Sequence, residues 1–255
     1  MPRIMITFVA ILVLVYLGLC GTLFLYQRDL IYFPQPRSPG TGATTFTLQA
    51  DGAQLLVTAR QRSGPDALLY FGGNAEDVSY SLPSLSTAFA GYAIYLLHYR
   101  GYGGSSGKPS EAALVADAVL LFDKMRAEHQ NIVVVGRSLG SGVAVHLASL
   151  RPVARLVLVT PYDSLQQLAA QQFPYFPVRW LLLDKFESSK YAERVVAPTL
   201  IVAANTTKSF HALTPRHCTS TFAPELHHSR WSPAQGTTPS LRVPSTCRCL
   251  GACNE

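Results

Sequence analysis

Charge is scarce in this chain: only 14% of its 255 residues are Asp, Glu, Lys or Arg, against 48% hydrophobic residues. A chain that stays disordered in water needs the reverse balance, so a wholly disordered protein is excluded. The net charge is +6, but Lys and Arg never gather into a run, so no nucleic-acid partner is expected. Cysteine is almost absent from the first two hundred residues. Cys20 stands in an apolar stretch, while Cys218, Cys247, Cys249 and Cys253 crowd toward the end, which gives no disulfide framework across the chain. His227 and His228 beside those late cysteines match no standard zinc spacing, so no metal is expected. The Gly/Ser-rich stretch Tyr99–Gly107 lacks the lysine of a phosphate loop and reads as a structural loop near an active-site rim. No cofactor is implied, and no internal repeat is visible.

One absence is itself a signal. From Ile4 to Tyr26 there is no charged residue, and the run is rich in Ile, Leu, Val and Phe. A helix of that length spans a hydrocarbon core of about 30 Å. A cleaved signal peptide has a shorter apolar stretch and a small-residue cleavage site, and this run flows into Gln27-Arg28-Asp29 without one. An uncleaved, single-pass anchor is therefore expected over residues 1–28, with the short N-terminal tail favouring N-inside. Pro34, Pro36, Pro39, Gly40 and Gly42 then mark a linker, residues 29–45.

Beyond the linker the pattern is one of alternation. Leu55–Ala59, Ala67–Phe71, Ala93–His98, Ile132–Val135, Leu156–Thr160 and Thr199–Ala203 read as strands, several of them continuous apolar runs of the kind covered on both faces. Glu111–His129 and Leu139–Leu150 read as helices, the first opened by Pro109-Ser110-Glu111. Such alternation predicts an α/β domain whose mostly parallel sheet carries helices on both faces. The length suits one such core, residues 46–205.

The strongest chemical signal is Gly136-Arg137-Ser138-Leu139-Gly140, between an apolar strand and a helix. Gly-x-Ser-x-Gly in that context is a nucleophile elbow: the turn is so tight that both glycines must lack side chains, and Ser138 is presented at the strand's end. The N–H of Leu139, at the helix N-terminus, points where an oxyanion would form. Upstream, Gly72-Gly73-Asn74 follows another strand, and its glycines permit close backbone approach, which makes the Asn74 N–H the second expected donor. The competing reading is two ordinary glycine-rich turns with an incidental serine. The strand and helix flanks favour chemistry.

Taken together, Gly73-Asn74-Ala75, Tyr99-Arg100-Gly101-Tyr102-Gly103 and Gly136–Gly140 resemble the α/β-hydrolase fold, and within it the Bem46-like branch of membrane-anchored, abhydrolase domain-containing serine hydrolases. Thr160-Pro161-Tyr162-Asp163-Ser164-Leu165 and the anchor followed by Leu30-Ile31-Tyr32-Phe33-Pro34 fit as well. The resemblance covers roughly Gln27 to Ala204 and departs at Gly72, where the family usually has His. It implies a nucleophile at Ser138, followed along the chain by an acid and then a histidine.

Those last two partners are missing where the resemblance puts them. The acid belongs just beyond Thr199–Ala203, but no Asp occurs after Asn205, and composition there swings to Thr, Ser, Pro, His and Cys. A shifted reading frame accounts for the break. With suitable codons, Thr206 to Leu213 read one frame over gives Asp-Glu-Ile-Ile-Pro-Arg-Ala, which looks like the family's acid loop. Arg230 to Thr238 gives Val-Val-Ala-Gly-Ala-Gly-His-Asn, which looks like its histidine loop. Residues 206–255 are accordingly expected to be an irregular or frameshifted tail. Asp163 could substitute as acid, although a turn or helix-capping role competes. His211, His217, His227 and His228 are bases by residue type only.

The expected protein is thus a serine hydrolase acting on carboxylic esters, thioesters or amides through an acyl-enzyme on Ser138, impaired by loss of the usual acid and histidine. The alternative is a non-catalytic, membrane-anchored pseudo-hydrolase. The expected partners are the membrane and a lipophilic or acylated substrate. Phe173–Pro177 and Trp180–Leu183 are read either as an acyl-binding cap or as a core helix.

Overall fold

A computed structural model describes residues 2–38 and 43–202. It opens with a 30-residue helix, α1 (Pro2–Ile31), which is long and apolar enough to cross a membrane and exposes almost all of its side chains. The helix runs three residues past the expected anchor, and the chain beyond it is tied down. Tyr32 is buried, and Asn74 Nδ2 donates to the Ile31 carbonyl.

Seven strands follow: β1 (Thr44–Ala50), β2 (Ala53–Arg60), β3 (Asp66–Phe71), β4 (Ala93–Leu97), β5 (Asn131–Arg137), β6 (Arg155–Val159) and β7 (Thr199–Val202). They form one sheet in the order β1-β2-β4-β3-β5-β6-β7. The β1–β2 and β2–β4 pairs are antiparallel, and every other pair is parallel. The mostly parallel sheet is the one expected. β7 ends one residue short of the expected strand, because Ala203 lies outside the described residues.

Alternation along the parallel strands divides the core. Leu69 and Phe71 pack with α3 (Glu111–Arg126) and α4 (Leu139–Leu150), while Leu68 and Tyr70 face Val78 and Leu82 on the other side. The 3-10 turn Val78–Ser81 and α2 (Leu82–Ala88) supply that second face. In α3, Leu114, Ala118, Leu121 and Met125 make a buried stripe, and Ser110 caps the first turn by accepting from Ala113 N at 3.3 Å. The helix stops before His129, whose ring nitrogens are drawn inward to the Tyr95 hydroxyl at 3.0 Å and the Gly64 carbonyl at 2.8 Å.

Between β6 and β7 the chain forms three short helices: α5 (Leu165–Gln172), α6 (Val178–Leu181) and α7 (Ser188–Ala192). From Phe173 to Leu183 only Val178 and Leu182 are buried, while Phe173, Tyr175, Trp180 and Leu183 are exposed, so the stretch is a half-exposed cap rather than a core helix.

Candidate active site

Strand order reverses between β3 and β5: the chain leaves β3 for β4 on one side and returns through α3 to β5 on the other. In open α/β sheets, ligands bind at the carboxyl ends of strands flanking such a reversal. The register sets Phe71 beside Gly136, so the loops after β3 and β5 leave the sheet side by side.

Ser138 sits between β5 and α4 with φ +47° and ψ −117°, a backbone conformation that L residues rarely adopt. Its N–H donates to Val159 O at 2.9 Å, while its carbonyl accepts from Ser141 N at 2.8 Å. The flanking glycines are required by space. A Cβ on Gly140 would run into the Phe71 and Gly72 carbonyl oxygens, and one on Gly136 would lie 2.6 Å from Ala144 Cβ. The side chain of Ser138 is left exposed at the sheet edge.

Leu139 follows Ser138 directly, and the loop that carries Asn74 lies beside it. Leu139 is the first residue of α4, where main-chain N–H groups have no partner within the helix. On the other side, a Cβ on Gly73 would meet Ser138 Cβ at 3.6 Å, which brings the Gly72–Asn74 loop against the serine. Asn74 N–H donates to no described group. Its side chain is fully engaged: Oδ1 accepts from Phe33 N at 3.0 Å and from the Tyr102 hydroxyl at 2.8 Å.

Residues that the sequence did not single out hold this loop. Glu76 Oε2 accepts from Gly73 N at 2.6 Å and from Arg137 Nη1 at 3.2 Å, linking the loop to the residue before Ser138. Its other oxygen accepts from the Tyr70 and Ser81 hydroxyls, both at 2.8 Å. The Tyr99 hydroxyl donates to Gly72 O at 2.9 Å, so the Gly/Ser-rich loop supports the site as well as edging it. Burial pushes the Tyr102 hydroxyl up to about 12 and raises the Tyr99 hydroxyl well above its ordinary value. Both therefore stay protonated donors at neutral pH and cannot serve as bases. The sequence placed Tyr99 and Tyr102 in a structural loop near the rim but gave no sign of these contacts. Nothing local marked Glu76.

Asp163 lies on the loop after β6, half-buried, and its carbonyl accepts from Ser189 N at 3.3 Å. The helix cap there is Ser164, whose hydroxyl accepts from Gln167 N at 3.4 Å, so capping is not the aspartate's work. Three histidines are described, and their ring contacts lie elsewhere: His98 with Thr58, His129 with Tyr95, and His146 stacked on Tyr191. His211, His217, His227 and His228, and the four late cysteines, lie outside the described residues. A cavity of about 660 Å³ opens among α5, α6 and the chain to Glu187, but neither Ser138 nor Asn74 lines it.

A family profile for the alpha/beta hydrolase fold matches residues 66–190. A Mycobacterium tuberculosis protein, itself uncharacterized, is 37% identical over 215 residues, covering 76% of this chain and 75% of that protein. Protein bem46 of Schizosaccharomyces pombe is 29% identical over 180 residues, covering 61% and 60%. The lysophosphatidylserine lipase ABHD12 of Danio rerio is likewise 29% identical over 180 residues, covering 61% of this chain and 47% of the lipase. Among solved structures, an alpha-beta hydrolase from Vibrio vulnificus superimposes with a TM-score of 0.53 at 20% identity over 64% of each chain, a likeness of fold.

Proposed function

This chain belongs to the α/β-hydrolase fold family, in its Bem46-like branch, and from that premise we propose that it is a membrane-anchored serine hydrolase. The observation that carries the reading is Ser138 held at φ +47° at the start of α4, with glycines where any side chain would collide. In this mechanism the Ser138 hydroxyl attacks the carbonyl of an ester, thioester or amide and gives up its proton to a base. The negative charge that develops on the carbonyl oxygen is met by the Leu139 and Asn74 N–H groups, aided by the positive end of α4. Collapse of the tetrahedral intermediate expels the leaving group, which takes a proton. Water then releases the acyl group from Ser138.

The substrate is lipophilic or acylated. α1 would keep the site beside a bilayer, and a relative is named a lysophosphatidylserine lipase. Activity in this chain is low, because no Asp follows Asn205 and the described histidines bind elsewhere. Asp163 is the substitute acid if a histidine of the tail reaches Ser138.

Turnover of a short p-nitrophenyl ester by the full chain in detergent tests the reading. Low turnover is expected, lost on Ser138→Ala and raised at least about a hundredfold when the reading frame after Asn205 is restored, in line with general-base contributions of 10²–10⁴. Equal turnover in both chains, lost on Ser138→Ala in both, would mean that a histidine already present serves as base. No turnover in either chain favours the pseudo-hydrolase.

A further inference from the structure

We propose that the cap between Phe173 and Leu183 is a lipid-contacting surface that enters one leaflet beside α1, an inference that rests on α1 being a membrane anchor. The cap grips the helix at both ends. The Tyr16 ring stacks on Phe176 with centroids 5.9 Å apart and planes 11° from parallel, and its hydroxyl donates to the Tyr175 carbonyl at 3.0 Å. Three turns farther on, Gln27 Nε2 donates to Leu181 O at 3.1 Å, and Leu183 N donates to Gln27 Oε1 at 2.7 Å. Arg28 pairs with Asp184 at 3.2 Å, and Asp184 also accepts from the buried Tyr32 hydroxyl at 3.1 Å. The cap therefore runs alongside the C-terminal half of α1, from Asp184 at Arg28 to Tyr175 at Tyr16.

That pairing constrains the depth of both partners. At 1.5 Å per residue, Tyr16 lies about 18 Å along the axis from Arg28. A cap held wholly in water would keep Tyr16 in water with it. Of the apolar run that Arg3 bounds, only Ile4 to Val15 would then remain to cross, about 18 Å against a hydrocarbon core of about 30 Å, and tilting the helix shortens its reach further. A spanning α1 and a fully hydrated cap are incompatible. If instead α1 spans from its first residues to about Leu23, Tyr16 and Tyr175 lie roughly 10 Å below the boundary, near the depth that interfacial elements reach.

The cap's surface has the chemistry of that layer. Tyr175 and Trp180 are each 86% exposed, and Phe173 and Leu183 are exposed beside them. Tyr and Trp concentrate at the level of lipid headgroups, where an apolar ring meets water. Arg179, exposed next to Trp180, has the reach to extend along the boundary to lipid phosphates. This places the two most exposed aromatics among the described residues at the boundary of the bilayer.

The test uses the two tryptophans of the chain, Trp180 and Trp231. The full chain carrying Trp231→Phe, reconstituted in phosphatidylcholine vesicles, reports from Trp180 alone. Lipids brominated near the headgroup end of the acyl chain should quench that emission more than lipids brominated near the methyl end. The emission should also be blue-shifted and shielded from aqueous iodide. A control chain with Val13→Trp, Trp180→Phe and Trp231→Phe reports the anchor, and deep bromines should quench it. Bromine quenching of the control without quenching of Trp180 overturns the cap inference and leaves the anchor standing, whether Trp180 is open to iodide or covered by a second copy. No bromine quenching of either chain overturns the anchor and the inference together.

Discussion

Glu76 illustrates how a single side chain organises a site: one carboxylate gathers Gly73 N, Arg137 and the Tyr70 and Ser81 hydroxyls, and so fixes the loop facing Ser138. His98 does comparable work in the core. It is buried, its Nε2 lies 2.8 Å from Thr58 Oγ1, and the Gly103 backbone packs against its ring so closely that only glycine fits there. Burial pushes the imidazole from 6.5 down to about 4, while Asp77 opposes the shift and Arg37 adds to it. The native state therefore keeps His98 neutral where the unfolded chain binds a proton. Stability is full above about pH 6.5 and falls with acidification until about pH 4, by roughly 3 kcal/mol in all. Urea unfolding of the detergent-solubilised chain at a series of pH values checks this. His98→Gln should flatten the acid limb, and an unchanged slope in that variant would assign the loss to other groups.

Between elements, the tie that matters most joins the loop after β4 to α3. Arg100 Nε and Nη2 each donate at 2.8 Å to Asp117, whose side chain is 1% exposed. Removing one partner leaves a buried charge uncompensated, so Arg100→Leu should cost about 3–5 kcal/mol. The pair Arg100→Leu with Asp117→Leu should recover most of that loss, because apolar replacements for both partners are often nearly neutral. Thermal or urea denaturation of the two variants measures the difference, and a double variant no more stable than the single one would contradict the account. The same scale shows what was legible in the sequence. β3, β5, β6 and α4 announced themselves because they are covered on both sides and carry unbroken apolar or small-residue runs. β1 did not: Thr44-Thr45-Phe46-Thr47-Leu48-Gln49 is an edge strand with a mixed pattern, its first two residues read as the end of the linker, and the rest suggested no element. α5, α6 and α7 are too short or too exposed to show a period; α6 and the chain before it meet α1 more than 150 residues away in sequence, and α7 packs on α4 by stacking Tyr191 on His146. The turn from β5 into α4 was visible, since glycines with no room for a side chain leave a local mark. Of the partners that hold the neighbouring loop, Arg137 and Tyr99 reach it only through the fold.

Over the whole molecule, an α/β-hydrolase fold carries little charge, an exposed helix long and apolar enough to cross a membrane, and a cap with exposed aromatics. The sheet brings Ser138 and the Asn74 loop to one edge, and an α1 anchored as proposed above would tie that edge to a bilayer. Everything catalytic in this account depends on Ser138 being the atom that bonds to substrate. A fluorophosphonate probe tests that most directly, because it phosphonylates an activated serine and leaves an adduct that peptide mass spectrometry can locate. The full chain should carry the adduct slowly, on Ser138, with faster labelling once the frame after Asn205 is restored and none on Ser138→Ala. An adduct on another residue, or no adduct in the frame-restored chain, would contradict it.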